Sequence, residues 1–193
     1  MPPIVLAKIT DKQKLTIKNG INIYLYLKDH YDPMDDDFRD VFTDFYLSTQ
    51  GVMYKPENRD PYFKEMRSCK SNANLIKLVV RLYNNLAVGK YEFSFATKLL
   101  HMKNNNSPIF DSKVRDYLKK EHNVKFNYYK KNDPNKLEKM KKDWDLLVNW
   151  YRNFLSKPVA RSWISWFDKT FGTVAAKNIS DVKKIDFIIF ACN

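Results

Sequence analysis

Two side chains near the middle of the chain have the types and spacing for nucleophilic chemistry, Lys98 and Asp111. A lysine amine attacks an electrophilic carbon only in its neutral form. Partial burial beside apolar groups lowers its pKa and supplies that form. Phe95, Leu99 and Leu100 flank Lys98 and are apolar. A carboxylate at a helix N-cap stays ionised, because the helix dipole and the backbone N–H groups favour the anion. Placed there, Asp111 would balance positive charge developing on a substrate. Each residue also has a plain reading: a lysine holding its amine in water, and an aspartate that only caps a helix. His101 follows Lys98 by three positions, on a similar helical face, and is a candidate pocket residue beside the reading of a buried structural histidine. No GxSxG, Walker loop, dinucleotide fingerprint or HExxH occurs.

The elements that must position this pair can be read from spacing. Phe93, Ala96, Leu99 and Leu100 recur at helical intervals, so the segment carrying Lys98 is expected to be a helix with one face on a core. The run Asn104-Asn105-Asn106-Ser107-Pro108 breaks it, since Asn and Ser bond their own backbone and Pro cannot continue a helix. Val114, Tyr117 and Leu118 start a second period, which makes Asp111 the expected N-cap.

The stretch Phe93 to Leu118 resembles the catalytic segment of the helix-hairpin-helix DNA glycosylases, most closely their 8-oxoguanine-glycosylase-like bacterial branch. The resemblance is carried by Thr97-Lys98, by Pro108-Ile109-Phe110-Asp111, and by the closing Lys184-Ile185-Asp186-Phe187-Ile188-Ile189-Phe190. It implies a two-lobed, all-α helical bundle acting as a monomer on double-stranded DNA. A damaged or modified base would be flipped into a pocket and its N-glycosidic bond cut, with AP lyase activity where a Schiff base forms. Lys98 would be the nucleophile and Asp111 the stabilising carboxylate. Relatives in that branch act on oxidised guanine, and some bacterial ones act on modified phage bases in defence. The family hairpin usually reads Pro-Gly-x-Gly before the Thr/Ser-Lys pair. Here Ser94 and Ala96 stand at the glycine places, small enough for close approach but unable to adopt positive backbone angles freely. Ser94, Ala96, Lys113 and Arg115 are the DNA-binding candidates.

Charge agrees with a polyanionic partner. Lys and Arg number 34 against 22 acids, a net charge of +12, and the pI is near 9.5. Such an excess favours nucleic acid, less often an anionic membrane surface, although general composition bias also produces it. It concentrates between Lys113 and Lys142, where basic residues alternate with Phe126, Tyr128 and Tyr129. A non-catalytic DNA-binding module of the same fold is the alternative reading, and an interaction protein with a basic face is a third. Cys69 and Cys192 lie far apart without CxxC spacing, which suits a reducing cytosol and gives no zinc site. His30, His101 and His122 fall in no HxxxH or HxE pattern, so no metal or other cofactor is expected. No run reaches the roughly 18 apolar residues of a membrane span. The opening MPPIVLAKIT does not read as a secretory signal.

Taken in order, Asn19-Gly20 reads as a turn before a helix from Ile21 to about His30. Asp35-Asp36-Asp37 reads as the start of a helix through Phe38, Val41, Phe42, Phe45 and Tyr46. Residues 49 to 62, with one Gly and two Pro, read as a linker between lobes 1–60 and 61–193. Asn72 or Asn74 caps a helix of Leu75 to Leu86, and Gly89 follows it. The longest helix starts after Asp133-Pro134 and carries Trp144, Leu147, Trp150, Tyr151 and Phe154, a stripe read as core. A helix through Trp163, Trp166 and Phe167 ends near Gly172, and Ser180 caps the last one. With only 4 glycines for tight hairpins, the chain reads as all-α.

Overall fold

The computed structural model describes residues 5–47, 51–127, 129–130 and 133–192; Tyr128, one of the basic stretch's aromatics, lies outside them. Among the described residues the chain is helical and contains no strand. The α-helices are α1 (Asp11–Asp29), α2 (Asp36–Phe42), α3 (Pro56–Ser68), α4 (Leu75–Asn85), α5 (Phe93–Lys103), α6 (Ser112–His122), α7 (Lys136–Leu155), α8 (Pro158–Asn178) and α9 (Asp181–Cys192). A π-helical turn, Thr43–Leu47, continues α2.

The capping chemistry read from the sequence is present. Asp35 accepts from the N–H of Phe38 at 2.8 Å, Asn74 from that of Lys77 at 3.1 Å, and Ser180 from that of Lys183 at 3.3 Å. Each satisfies one of the N–H groups that a helix start leaves without an internal partner. Gly172 breaks the helical angles of α8, with φ 85° and ψ 176°, but the chain resumes its helix to Asn178. α8 is therefore two helical segments meeting at Gly172, and α7, at 20 residues, is the longest uninterrupted helix among the described residues, as the sequence reading had it.

Two stretches differ from the sequence reading. Asn19-Gly20 is no turn but lies within α1. Gly20 is needed for close approach: a Cβ there would stand 2.8 Å from the Phe187 ring. The linker segment is partly helical, because α3 begins inside it. Pro56 takes the first helical position, where a missing N–H costs nothing.

The fold consists of two compact units, Met1–Asn22 with Asn105–Asn193, and Ile23–Asn104. The sequence reading placed the lobe boundary near residue 60. α1 contributes residues 11–22 to the first unit and 23–29 to the second.

In the unit Ile23–Asn104, α2, α3, α4 and α5 enclose an aromatic core. Phe42 meets Phe63 edge-on at 5.6 Å, and the Tyr62 hydroxyl donates to the carbonyl of Phe95 at 3.0 Å, fixing α3 to α5. Arg39 is buried with its guanidinium on Asp60 and over Phe63, which ties α2 to α3.

In the other unit α9 is central. From Val182 to Ile189 every residue is buried, with α6, α7 and α8 packed against it. Trp163, Tyr151, Phe167 and Leu147 form the surrounding core, as their helical spacing indicated. The fully buried Asp143 carboxylate accepts from the N–H and side-chain amide of Asn127 and from the Tyr129 hydroxyl. It pins to α7 the non-helical segment that follows α6.

Candidate active site

α5 supplies the lysine. Its second turn holds Lys98, half-buried between the buried Thr97 and Leu99. The Lys98 amine donates to the backbone carbonyl of Tyr46 at 2.6 Å, so its side chain follows the protein surface of its own unit rather than extending into water. Thr97 is fully buried, and its hydroxyl donates back to the carbonyl of Ser94 at 2.8 Å.

The hairpin candidates ahead of Lys98 are already engaged in the helix. Ala96 has no exposed surface, and its N–H donates to the carbonyl of Glu92 at 3.1 Å. Neither its side chain nor its amide is presented to a phosphate. Ser94 is half-buried in the first turn. His101 is 1% exposed, and its ring centroid lies 5.7 Å from that of Tyr24. It is a core residue of its unit rather than the wall of an open pocket. A shallow hollow of about 370 Å³ lies between Pro61, Lys64, Glu65, Ser68 and Asn85, none of them a candidate from the sequence.

α6 supplies the carboxylate. Ser107, Pro108, Ile109 and Phe110 are buried and bring the chain to Asp111. Asp111 has extended backbone angles (φ −120°, ψ 174°), and its Oδ1 accepts from the N–H of Val114 at 2.8 Å. This is the N-cap geometry, with a carboxylate on the positive end of a helix dipole. Lys113 and Arg115 follow it in the same helix. Lys113 reaches back to α9, donating to the Phe190 carbonyl at 3.2 Å with its amine 4.1 Å from the Phe190 ring centroid. Arg115 lies over the Phe110 ring at 5.6 Å. Lys98 and Asp111 thus belong to different compact units, and each is held by its own unit's packing.

Behind α6 stands a set of buried polar groups that the sequence reading did not assign to the site. Lys183 and Asp186 form an ion pair at 2.6 Å with both side chains almost fully buried. Lys184 bonds Asp168 at 2.9 Å and Asp181 at 3.3 Å. Among the described residues the hydroxyl of Tyr151, which is 2% exposed, has no hydrogen-bond partner, and neither has Oδ1 of Asp186. Burial pushes the Tyr151 phenol well above its ordinary pKa, and the charges of Asp186 and Asp111 push it further. The available signal was Lys183, Lys184 and Asp186 set in an otherwise apolar run of the closing helix. Nothing in the sequence points to the Tyr46 carbonyl, because any residue type offers that atom. Among the described residues no group of three or more His, Cys, Asp or Glu is placed to hold a metal, and no helix is long and apolar enough to cross a membrane.

No protein-family model, no curated protein and no solved structure matches this chain.

Proposed function

We propose that the protein is a DNA glycosylase that excises a damaged or modified base, with Lys98 as nucleophile and Asp111 as the stabilising carboxylate. The observation that carries this reading is the state of Lys98. It is a half-buried lysine on a helix whose neighbours are buried, and its amine is directed onto a neutral carbonyl. A lysine whose side chain is held along the protein by a fixed main-chain acceptor is positioned for nucleophilic attack. The N-cap position of Asp111 keeps a fixed negative charge available, and the net charge of +12 suits a phosphate-rich substrate.

In this reading the neutral amine of Lys98 attacks C1′ of the flipped nucleotide. The C1′–N bond breaks, and the base departs with the bonding pair and takes up a proton. The amine loses its protons as the sugar ring opens, leaving a C1′ Schiff base. Asp111 offsets the positive charge on the sugar while the bond is breaking. β-Elimination from the Schiff base would then cut the strand.

The test is reductive trapping. Duplexes carrying an abasic site or one of a panel of oxidised and modified bases are incubated with protein and borohydride, and the adduct is mapped by mass spectrometry. A covalent adduct on the peptide containing Lys98 is expected. Absence of any adduct across the panel would remove lysine chemistry from the reading.

One observation favours a second reading, a DNA-binding module without chemistry. The buried Ala96 with its closed amide leaves the hairpin without the backbone clamp that the resemblance implies. That version gives salt-dependent duplex binding, unchanged when Lys98 is replaced by Gln.

A further inference from the structure

The net charge of +12 is not shared between the two compact units. Met1–Asn22 with Asn105–Asn193 carries 22 lysines and arginines against 11 acids, whereas Ile23–Asn104 carries 12 against 11. A polyanion is therefore drawn to the first of them. By sequence its seat would be the basic stretch from Lys113 to Lys142, but the fold commits much of that stretch elsewhere. Lys113 is turned to Phe190, Lys136 is buried, Lys139 pairs with Asp133, and Lys142 pairs with Glu138 at 2.7 Å. The exposed acids Asp116, Glu138 and Asp145 stand among the lysines that remain.

α8 is built differently. From its N-cap onward, Lys157, Arg161, Ser165 and Lys169 follow one another at four-residue steps, and all four are exposed. Residues four apart are neighbours on a helix surface, about 6 Å apart along its axis. The row therefore runs for about 18 Å, a length of duplex over which one strand presents about five phosphates. Beyond Gly172, Thr173 and Lys177 are exposed as well. Among the described residues α8 is the one α-helix of its unit that exposes no acid. Its single carboxylate, Asp168, is 33% exposed and pairs with Lys184 of α9 at 2.9 Å. Among the described residues none of Lys157, Arg161, Lys169 and Lys177 pairs with a carboxylate.

We infer that the outer face of α8 is the surface that holds the phosphate backbone of a DNA duplex, with Arg161 and Lys169 as its central contacts. The inference rests on DNA being the substrate in the proposed function, and it does not depend on the chemistry of Lys98. A guanidinium can take a phosphate with two parallel N–H bonds, and an ammonium takes one as a point charge. Ser165 stands one turn from each and offers a hydroxyl to the same backbone. Such contacts fix the register of a duplex without reading its sequence, so the face would hold any duplex while the base is selected elsewhere. An anionic membrane suits it less. Ala160, Trp163, Phe167 and Ala175 of α8 are buried in the core, which leaves only the separate valines Val159 and Val174 as exposed apolar side chains on this helix to meet lipid.

The experiment measures binding of the full chain to a fluorescent, undamaged duplex by anisotropy over a series of salt concentrations. Arg161→Gln/Lys169→Gln is expected to weaken binding on the order of tenfold, and to reduce the slope of log affinity against log salt by about two. Both positions are exposed and Gln is a good helix former, so the fold should persist. Arg161→Lys/Lys169→Arg keeps both charges and is expected to bind within a factor of about two of wild type. Lys141→Gln/Lys142→Gln removes the same charge from α7 and should change the slope by less than half as much. Equal losses from the α7 and α8 pairs overturn the inference, because the duplex would then respond to total charge and not to this face. Unchanged duplex binding in the α8 pair also overturns it, and loss of sedimentation with phosphatidylserine vesicles in that same variant would assign the face to a membrane. The proposed reaction is judged separately, by adduct trapping. Trapping that persists at wild-type yield alongside α8-independent binding sinks this inference alone. Binding through α8 by a protein that traps no adduct supports it while ending the reading of Lys98 as nucleophile.

Discussion

The amine of Lys98 donates to the main-chain carbonyl of Tyr46 at 2.6 Å, joining the second turn of α5 to the π-helical end of α2. The acceptor is neutral and is fixed by backbone rather than by a movable side chain. A lysine held this way is positioned by the backbone itself, as the proposed nucleophile requires.

Lys98→Gln is therefore expected to abolish the borohydride-trapped adduct while keeping the fold. A glutamine amide can still donate in the direction of Tyr46, so the melting temperature should move by only a few degrees. Trapping and thermal melting on the same preparation check this. An adduct of wild-type yield in the variant would assign the chemistry to another amine.

Asp111 serves both as a helix cap and in the proposed chemistry, and two substitutions separate these roles. Asn caps nearly as well as Asp, so Asp111→Asn should leave stability almost unchanged and lower the rate on the order of a hundredfold. Asp111→Ala loses the cap as well, at a further cost of about 1 kcal/mol of stability. Denaturant melts and single-turnover rates on both variants make the comparison. Equal rates for Asn and wild type would leave Asp111 as a cap alone.

Much of the local structure around Lys98 and around Asp111 was legible in the sequence because it depends on near neighbours. The cap at Asp111, the break at Asn104–Pro108 and the apolar stripe beside Lys98 depend on residues within a turn or two of one another. What was not legible depends on distant partners. Asn19-Gly20 carries the composition of a turn, yet α1 runs through it because Gly20 leaves room for Phe187. His101 lies on a face that looked available until Tyr24 closed it. Tyr151 read as one more core aromatic in a stripe, and its spacing could not show that its hydroxyl is buried without a hydrogen-bond partner among the described residues.

Gly20 gives the first stability test that follows from such a distant contact. In Gly20→Ala the new methyl would stand 2.8 Å from a Phe187 ring carbon, closer than real contacts allow. Alanine is otherwise the better helix former by about 1 kcal/mol, so propensity alone makes this change stabilising. Overpacking of a buried ring costs about 1 to 3 kcal/mol and should prevail. The double variant Gly20→Ala/Phe187→Leu is expected to recover part of the loss. A rise in melting temperature on Gly20→Ala would show that the ring gives way at little cost.

The Lys183–Asp186 pair offers a test within α9. Removing one partner takes the facing carboxylate away from a buried ammonium, so Asp186→Ala should cost about 3 to 5 kcal/mol. Replacing both with apolar residues, as in Lys183→Met/Asp186→Leu, should restore most of it, since desolvation largely offsets the attraction in such pairs. Urea titrations of the three variants measure this. If the double variant is as unstable as the single one, the pair contributes net stability and not merely mutual compensation.

The last prediction concerns pH and His122, at the C-terminal end of α6. Its ring faces Trp150 at 5.0 Å, Tyr117 at 5.3 Å and Phe154 at 6.2 Å. Burial, reinforced by the charge of Lys157, lowers its pKa below the ordinary 6.5. Between the depressed folded value and the unfolded one near 6.5, the unfolded chain binds more protons than the folded chain. The stabilising contribution is therefore complete above the unfolded value. It declines as the pH falls through that value, and the decline ends below the folded pKa, where both states are protonated. Melting temperature should accordingly drop between pH 7 and the mildly acidic range, and the drop should shrink in His122→Gln, which cannot charge. Because other groups titrate over the same range, the quantity to follow is the difference between wild type and variant at each pH. A difference that stays constant from neutral pH to the acid end would mean that His122 binds its proton equally well folded and unfolded, and that the aromatic surround does not tune it.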